Sequence, residues 1–288
     1  IADKSQIFQV IMAINAGDEV IAEVAPAFVG QFGGKGNVDK LREAFKQLGF
    51  SGMEEVALGA DLCTIQESED FLEEVPEKIP FMGTSCCPAW SVMAKKEFPK
   101  NADCISMALT PMTLTARLIR KQHPNAKIVF VGPCSAKKLE AMRESVRSEV
   151  DFVLTFEEMA GMMSAKEIDY TKLAGEGGDF DVASADGRGF AVAGGVATAV
   201  ANAIHKRYPE REVKVANAEG LEECRKLMKD AVKGKYDGYL LEGMACPGGC
   251  VAGAGTLTAV NKTAAAVKRY AKTSPRKNAT ENAYRMLI

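Results

Sequence analysis

The chain has 288 residues, of which 47% are hydrophobic and 26% charged, and its formal net charge is −2. Such a composition belongs to a globular protein with ample length for a core, in one large domain or two ordinary ones. A charge this close to zero gives no reason to expect nucleic acid or an anionic membrane as partner. No apolar run is long enough to cross a bilayer. The nearest, GFAVAGGVATAVANAI (189–204), reads as a buried helix after a glycine turn. With no signal peptide in view, the expected location is the cytoplasm. The chain opens on Ile1 rather than Met, which fits an excised or processed domain.

In chain order, VDKLREAFKQLGF (38–50) reads as an amphipathic helix with Gly49 near its end, followed by a strand over EVALGA (55–60). IPFMGT (79–84) is a short apolar strand that leads into TSCCPAW (84–90), where Pro88 suits the first turn of a helix over 88–99. KIVFVG (127–132) is the clearest strand. It runs into PCSAKKLEAM (133–142), a turn and then a helix capped by Ser135. EGGDF (176–180) is the best loop, though not a domain boundary. DGYLLEG (237–243) is another strand, running into MACPGGC (244–250). No internal repeat interrupts this alternation, which predicts an α/β protein.

The chemistry is concentrated in cysteine. There are eight, Cys63, Cys86, Cys87, Cys104, Cys134, Cys224, Cys246 and Cys250, against two histidines, His123 and His205, neither at ligand spacing to anything. In an intracellular chain this points to metal or redox chemistry rather than a disulfide framework. Three of the predicted strands run straight into cysteine loops, at 86–87, 134 and 246–250. Loops at the carboxyl ends of strands in an open sheet can converge on one ligand. Cys63, Cys104 and Cys224 have no Gly/Pro loop around them and read as buried thiols. Structural zinc calls for two close cysteine pairs, and only Cys246 and Cys250 form one; the CxxC of a thiol oxidoreductase is absent. A disulfide between Cys86 and Cys87 would strain an eight-membered ring, so they are two ligands, two buried thiols, or one of each. An iron–sulfur cubane needs four thiolates. CPGGC could supply two, Cys134 a third, and one member of the Cys86–Cys87 pair the fourth. The glycines permit close backbone approach to an inorganic cluster, and their amides can donate to its sulfides.

TSCCPAW (84–90), PCSAKKLE (133–140) and EGMACPGGCVAGAG (242–255) resemble the three signature loops of the iron-only (FeFe) hydrogenases, TSCCPxW, PCxxKxxE and ExMACxxGCxxGxG, in the same order. APAF (25–28), LREAFKQLGF, GADL and the AGGV segment match as well, so the resemblance covers nearly the whole chain. It implies an α/β fold of two intertwined lobes, each a small mixed or parallel sheet flanked by helices, with the metal cluster between them. It further implies that 1–288 is one H-cluster domain, with accessory ferredoxin-like domains absent from this chain. The implied cofactor is the H-cluster, a 4Fe-4S cubane joined through one cysteine to a di-iron unit that carries CO, cyanide and a bridging azadithiolate. By motif position the ligands are Cys87, Cys134, Cys246 and Cys250, with Cys250 also meeting the di-iron unit. Cys86 is then the thiol that passes a proton to the azadithiolate amine. Heterolytic cleavage of H2 needs such a positioned acid–base group, and a thiol with pKa about 8.5 suits the step near neutral pH.

The resemblance extends this relay through two acids and a serine. Aligning QESEDF (66–71) with the family's EExxEL places the acids at Glu67 and Asp70, and an ungapped count from CCPAW places the serine at Ser106. The competing reading of the acids is exposed charge on a helix face. Lys137 holds the family's cyanide-binding position, where an ammonium donates to a negatively charged ligand. Glu140 pairs with this loop, and Lys138 reads as an ordinary exposed lysine. Ala25, Pro26, Pro111, Met244 and Phe190 line the di-iron pocket in this alignment, and Trp90 packs below the loop.

Three positions depart from the family pattern: Gly132 stands where Met is usual, Met112 where Gln is common, and Ala27 where Ser is frequent. Such outer positions tune potential and ligand geometry. The resemblance therefore implies reversible interconversion of H2 with protons and electrons, slow or biased, with a role in sensing H2 or redox state. The implied partners are H2 and protons, a ferredoxin-like redox domain or protein, and maturation proteins that build the di-iron unit. The competing readings are a cubane-only relative in sensing or iron–sulfur assembly without di-iron, and a structural zinc protein.

Overall fold

The computed structural model describes residues 4–33, 37–144, 146, 149–175 and 183–284. Seven strands occur among them, in chain order β1 (Val20–Val24), β2 (Gly52–Glu55), β3 (Met82–Gly83), β4 (Lys127–Gly132), β5 (Phe152–Thr155), β6 (Lys214–Glu219) and β7 (Tyr239–Met244). They form two sheets, β2-β1-β4-β5 and β3-β7-β6, and every pairing in both is parallel. The chain divides into two compact units whose segments alternate along the sequence. The first comprises Ile1–Val56, Met112–Asp181 and Val251–Tyr270, and the second Ala57–Pro111, Val182–Cys250 and Ala271–Ile288.

The first unit holds the four-stranded sheet. Its central strands β1 and β4 are buried almost throughout, as near-continuous apolar runs are when helices cover both faces. KIVFVG forms β4 over its predicted span. The helix Val38–Leu48 also forms as expected, with Asn37 capping its start and Gly49 closing it at φ 101°.

The second unit holds the three-stranded sheet. Successive residues of β7 serve opposite faces: Leu241 packs with Phe81, Trp90, Ile105 and Met228, whereas Leu240 packs with Phe71, Met82, Val200 and Ile204. Cys104 and Cys224 belong to the first of these clusters, as the buried-thiol reading expects.

Several local expectations need correction. EVALGA is not a strand: β2 ends at Glu55, and Val56–Glu74 is one 19-residue helix. Every residue from Val56 to Thr64 is buried, so its first turns show no polar face and a short apolar run cannot reveal its period. Only Met82–Gly83 of IPFMGT is strand. Ser135 precedes the helix Ala136–Ala141 but has helical backbone angles (φ −67°, ψ −27°) and makes no capping bond, because the hydroxyl of an N-cap reaches the first turn from an extended backbone. The run 189–204 is a helix only from Gly195, after a turn in which a Cβ on Gly195 would strike the Gly189 carbonyl. The EGGDF loop lies outside the described residues.

Candidate metal centre

In the second unit, β3 and β7 are parallel neighbours, so their carboxyl ends lie at one edge of the sheet. Cys86 and Cys87 follow β3; Cys246 and Cys250 follow β7. Trp90 locks the two loops together. It is fully buried, its indole Nε1 donates to the Thr84 carbonyl at 3.1 Å, and its ring lies where a Cβ on Gly243 would stand. Pro88 opens the next helix, with Cys87 at its N-cap position. In CPGGC, Gly248 and Gly249 have φ of 101° and 87°, which disfavour any other residue. A Cβ on Gly249 would come within 2.5 Å of the Ala193 amide nitrogen. That amide donates to the Gly248 carbonyl at 3.2 Å, and the Gly248 amide donates to the Glu219 carboxylate at 2.6 Å.

The residues expected to form a proton relay also belong to this unit, and Glu67 stands near Cys86, Ser106 and Asp70. Glu67 is fully buried, and one of its oxygens accepts from the Ser85 amide at 2.7 Å. Its other oxygen has no partner in hydrogen-bond geometry, although the Ser85 and Ser106 hydroxyls face the carboxyl. Burial raises Glu67 to about 7, opposed by the Ser85 amide and the two hydroxyls. The exposed-charge reading therefore fails for Glu67. Asp70 is only half-buried; desolvation first, then Glu74, Glu73 and Glu69, raise it above the ordinary carboxylate range. Ser106 is buried and its hydroxyl accepts from the Ala108 amide at 3.1 Å.

Cys86 departs from the simple expectation. Burial, then Glu67, Cys63 and Glu242, push its thiol well above the ordinary range, so it is held protonated rather than poised near neutrality. Cys63 lies one helical turn before Glu67 on the same helix, which explains why both face the Cys86 thiol.

One acid here carried no role in the sequence reading. Glu242, the first residue of the third motif, is buried, and its two oxygens accept from the Gly194 and Ala197 amides at 2.7 Å each. It thereby satisfies the amino end of the helix Gly195–Arg207. Burial raises it to about 7 against these bonds. Its only sequence signal was its place in the motif. Phe190 and Met244 are buried in this unit, as is Pro111 at the start of the helix Pro111–Gln122.

In the first unit, β4 runs into Pro133–Cys134, and the two last glycines of the third motif close over that turn. The Gly255 amide donates to the Pro133 carbonyl at 2.8 Å, and a Cβ on Gly253 would strike the same oxygen. Lys137 is buried and donates to Glu140 Oε2 at 2.7 Å. Lys138 is no surface lysine: it is as buried as Lys137, with Glu158 at 3.0 Å and the Lys4 carbonyl at 3.2 Å. Ala25 and Pro26 are buried at the end of β1. Gly132 has a concrete role, since a Cβ there would lie 2.5 Å from the Phe130 ring and 3.1 Å from Ala25 Cβ. The Phe130 ring takes the space that a side chain at position 132 would need.

None of the eight cysteines forms a disulfide. Cys63, Cys104 and Cys224 are buried, whereas Cys86, Cys87, Cys134, Cys246 and Cys250 each keep some exposed surface. Among the described residues, no three His, Cys, Asp or Glu side chains gather as a single metal ion would require. The donor chemistry instead fits a larger sulfur-ligated cluster: soft thiolates on loops whose glycines leave room for close approach.

Iron hydrogenase 1 of Clostridium pasteurianum is 28% identical over 304 residues, a stretch covering 88% of this chain and 53% of that protein. The chain thus spans about half the length of that relative. Cytosolic Fe-S cluster assembly factor NAR1 of Debaryomyces hansenii is 32% identical over 142 residues, 43% of this chain and 26% of that protein. Apo FeFe-hydrogenase HydA1 of Chlamydomonas reinhardtii shares the fold, with a TM-score of 0.80 over 98% of this chain and 93% of that one at 22% identity. No helix among the described residues is long and apolar enough to cross a membrane. The family model for the iron-only hydrogenase large subunit, C-terminal domain, matches residues 18–254, and the chain belongs to that family.

Proposed function

We infer that this domain binds an H-cluster and interconverts H2 with two protons and two electrons. The observation that carries the reading is the buried sequence of acids behind Cys86: a protonated thiol, a carboxyl at about 7 in Glu67, the Ser106 hydroxyl, and half-buried Asp70. Cys87, Cys134, Cys246 and Cys250 would ligate the cubane, with Cys250 also meeting the di-iron unit. The bound cluster would supply the metal site and the redox-active centre that takes up and passes on the two electrons exchanged with a redox partner.

The chain's own residues manage protons and charge. Cys86 donates its proton inward and recovers one from Glu67, whose pKa allows it to give and take protons near neutral pH. Ser106 and Asp70 continue the exchange towards water. Lys137, oriented by Glu140, offers an ammonium to a negatively charged ligand. Ala25, Pro26, Pro111, Met244 and Phe190 would shape an apolar pocket.

A second reading, sensing of H2 or redox state, draws support from Gly132. The Phe130 ring there replaces the thioether usual in the family, which supports altered potentials and slow turnover. The cytoplasm, a ferredoxin-like electron partner and separate maturation proteins complete the proposal. The test is infrared spectroscopy of the matured protein together with H2 uptake. CO and cyanide bands with H2 chemistry support the catalytic reading, and slow turnover with stabilised redox states supports sensing. A cubane without those bands would favour the cubane-only relative.

A further inference from the structure

The sequence of the CPGGC loop (246–250) predicts glycine amides that donate to cluster sulfides. The structure commits both of them within the chain. The Gly249 amide donates to the Cys246 carbonyl at 2.9 Å, and the Gly248 amide donates to the Glu219 carboxylate at 2.6 Å. A five-residue loop that begins and ends on proposed ligands thus turns one glycine N–H to its own backbone. It turns the other to a negative charge.

The backbone fixes this arrangement from several directions. Glu219 is the last residue of β6 and is exposed, and its register partner in β7 is Met244, two residues before Cys246. The next amide, that of Gly220, donates to the Met244 carbonyl at 2.8 Å. Gly220 has φ 84°, and a Cβ on it would stand 3.7 Å from Pro247 Cγ, so the turn after β6 runs against the loop itself. From the core side, the Cys224 thiol donates to the Ala218 carbonyl at 3.5 Å and to the Met244 carbonyl at 3.6 Å. Glu219 and Gly220 therefore meet Met244, Pro247 and Gly248 together. The carboxylate of Glu219 is held at the loop by the sheet, although its side chain lies in solvent.

We propose that Glu219 is a positioning residue of the cluster loop that also keeps the reduction potential of a bound cubane low, by placing a carboxylate on the loop and by holding the Gly248 amide away from the cluster sulfides. This rests on the cubane half of the H-cluster reading and needs no di-iron unit. Reduction adds an electron to a cluster already made negative by its thiolates. Hydrogen bonds from N–H groups to the sulfurs favour the reduced state, and a neighbouring anion disfavours it. Glu219 acts in the same direction on both counts. A cubane of lower potential is the stronger electron donor, so Glu219 favours passing electrons on over storing them.

The test uses the full chain reconstituted with iron and sulfide alone, with the cubane followed by EPR during a redox titration. Glu219→Gln removes the charge and keeps an oxygen for the Gly248 amide, whereas Glu219→Ala removes both. Glu219→Gln should bind as much iron and sulfide as the parent and show a higher potential, read as a several-fold greater reduced-to-oxidised ratio at a fixed applied potential. Glu219→Ala should rise further, because the freed amide can turn to a sulfide. If Glu219→Ala takes up no cluster, Glu219→Gln decides by itself. An unchanged or lower potential in Glu219→Gln would overturn the assignment. Loss of the cluster from both variants would overturn it too, since Glu219 would then serve only to build the loop. If the parent itself takes up no 4Fe-4S cluster, the H-cluster reading falls and this assignment with it.

Discussion

The carboxyl ends of the two sheets are finished differently. In the second unit, the acids near the cysteine loops bond to the chain: Glu67 to the Ser85 amide, Glu242 to Gly194 and Ala197, and Glu219 to Gly248. In the first unit, Lys137 is tied to Glu140, while neither side-chain oxygen of Glu23 has a hydrogen-bond partner. Both sheets are parallel and place cysteine at the same structural position, so the difference lies in what fills the space behind the thiols. One end ties its acids into the loops and helix ends around the cysteines. The other holds a buried ion pair and a buried carboxyl without a hydrogen-bond partner.

The sharpest way to break this comparison is to remove thiolates from the loops that follow the strands. Cys134→Ala should lose or degrade the 4Fe-4S cluster as fully as Cys87→Ala or Cys246→Ala. Cys63→Ala, Cys104→Ala and Cys224→Ala should keep it. Iron and sulfide analysis with EPR decides, and a full cluster in Cys134→Ala would sink the ligand assignment. Next comes the division within the adjacent pair. Cys86→Ala should retain the cubane and its infrared bands while H2 oxidation falls roughly 10²–10⁴-fold, the usual scale for a lost acid–base group. Equal cluster loss in Cys86→Ala and Cys87→Ala would end the distinction between relay and ligand.

Stability against pH sharpens the contrast further. Glu67 and Glu242 both stand at about 7 in the fold against 4.5 unperturbed, so the folded state binds their protons more tightly than the unfolded state does. Their contribution is fully present below about pH 4.5 and is lost as pH rises through about 7, by roughly 3 kcal/mol for each group. In unmatured protein, Glu67→Gln should make the decline of melting temperature between pH 5 and pH 8 shallower. An unchanged slope would show that the acid is ionised in the fold already. The smallest effect concerns the first unit's packing. Gly132→Met should destabilise by about 1–3 kcal/mol, because the Phe130 ring already fills the site. Phe130→Ala should relieve part of that loss in the double variant, as measured by denaturant unfolding.

Much of this was legible in the residues. Apolar KIVFVG declares a covered parallel strand, and three strand-to-cysteine transitions declare where the loops gather. What escaped was burial of polar groups. Glu23 in VIAEV looks like the polar position of a half-exposed strand, and only the parallel partners on both sides show that it has no water. Lys138 and Lys137 are identical in type and adjacent, and sequence offers no means of knowing that Glu158, twenty residues on, encloses the second. EVALGA failed for a related reason: a helix start buried on all sides carries no periodic signal.

The clasp of Gly253 and Gly255 on Pro133 has a consequence for how the protein comes into being. The turn that presents Cys134 is closed by an amide 122 positions later in the chain, at Gly255. As synthesis proceeds from the amino end, β1 and β4 can pair long before that amide leaves the ribosome. The Cys134 turn therefore lacks this clasp until the third motif has emerged. A contact of such long sequence separation forms late. Completion of the third motif thus serves as the checkpoint after which the second is held in shape.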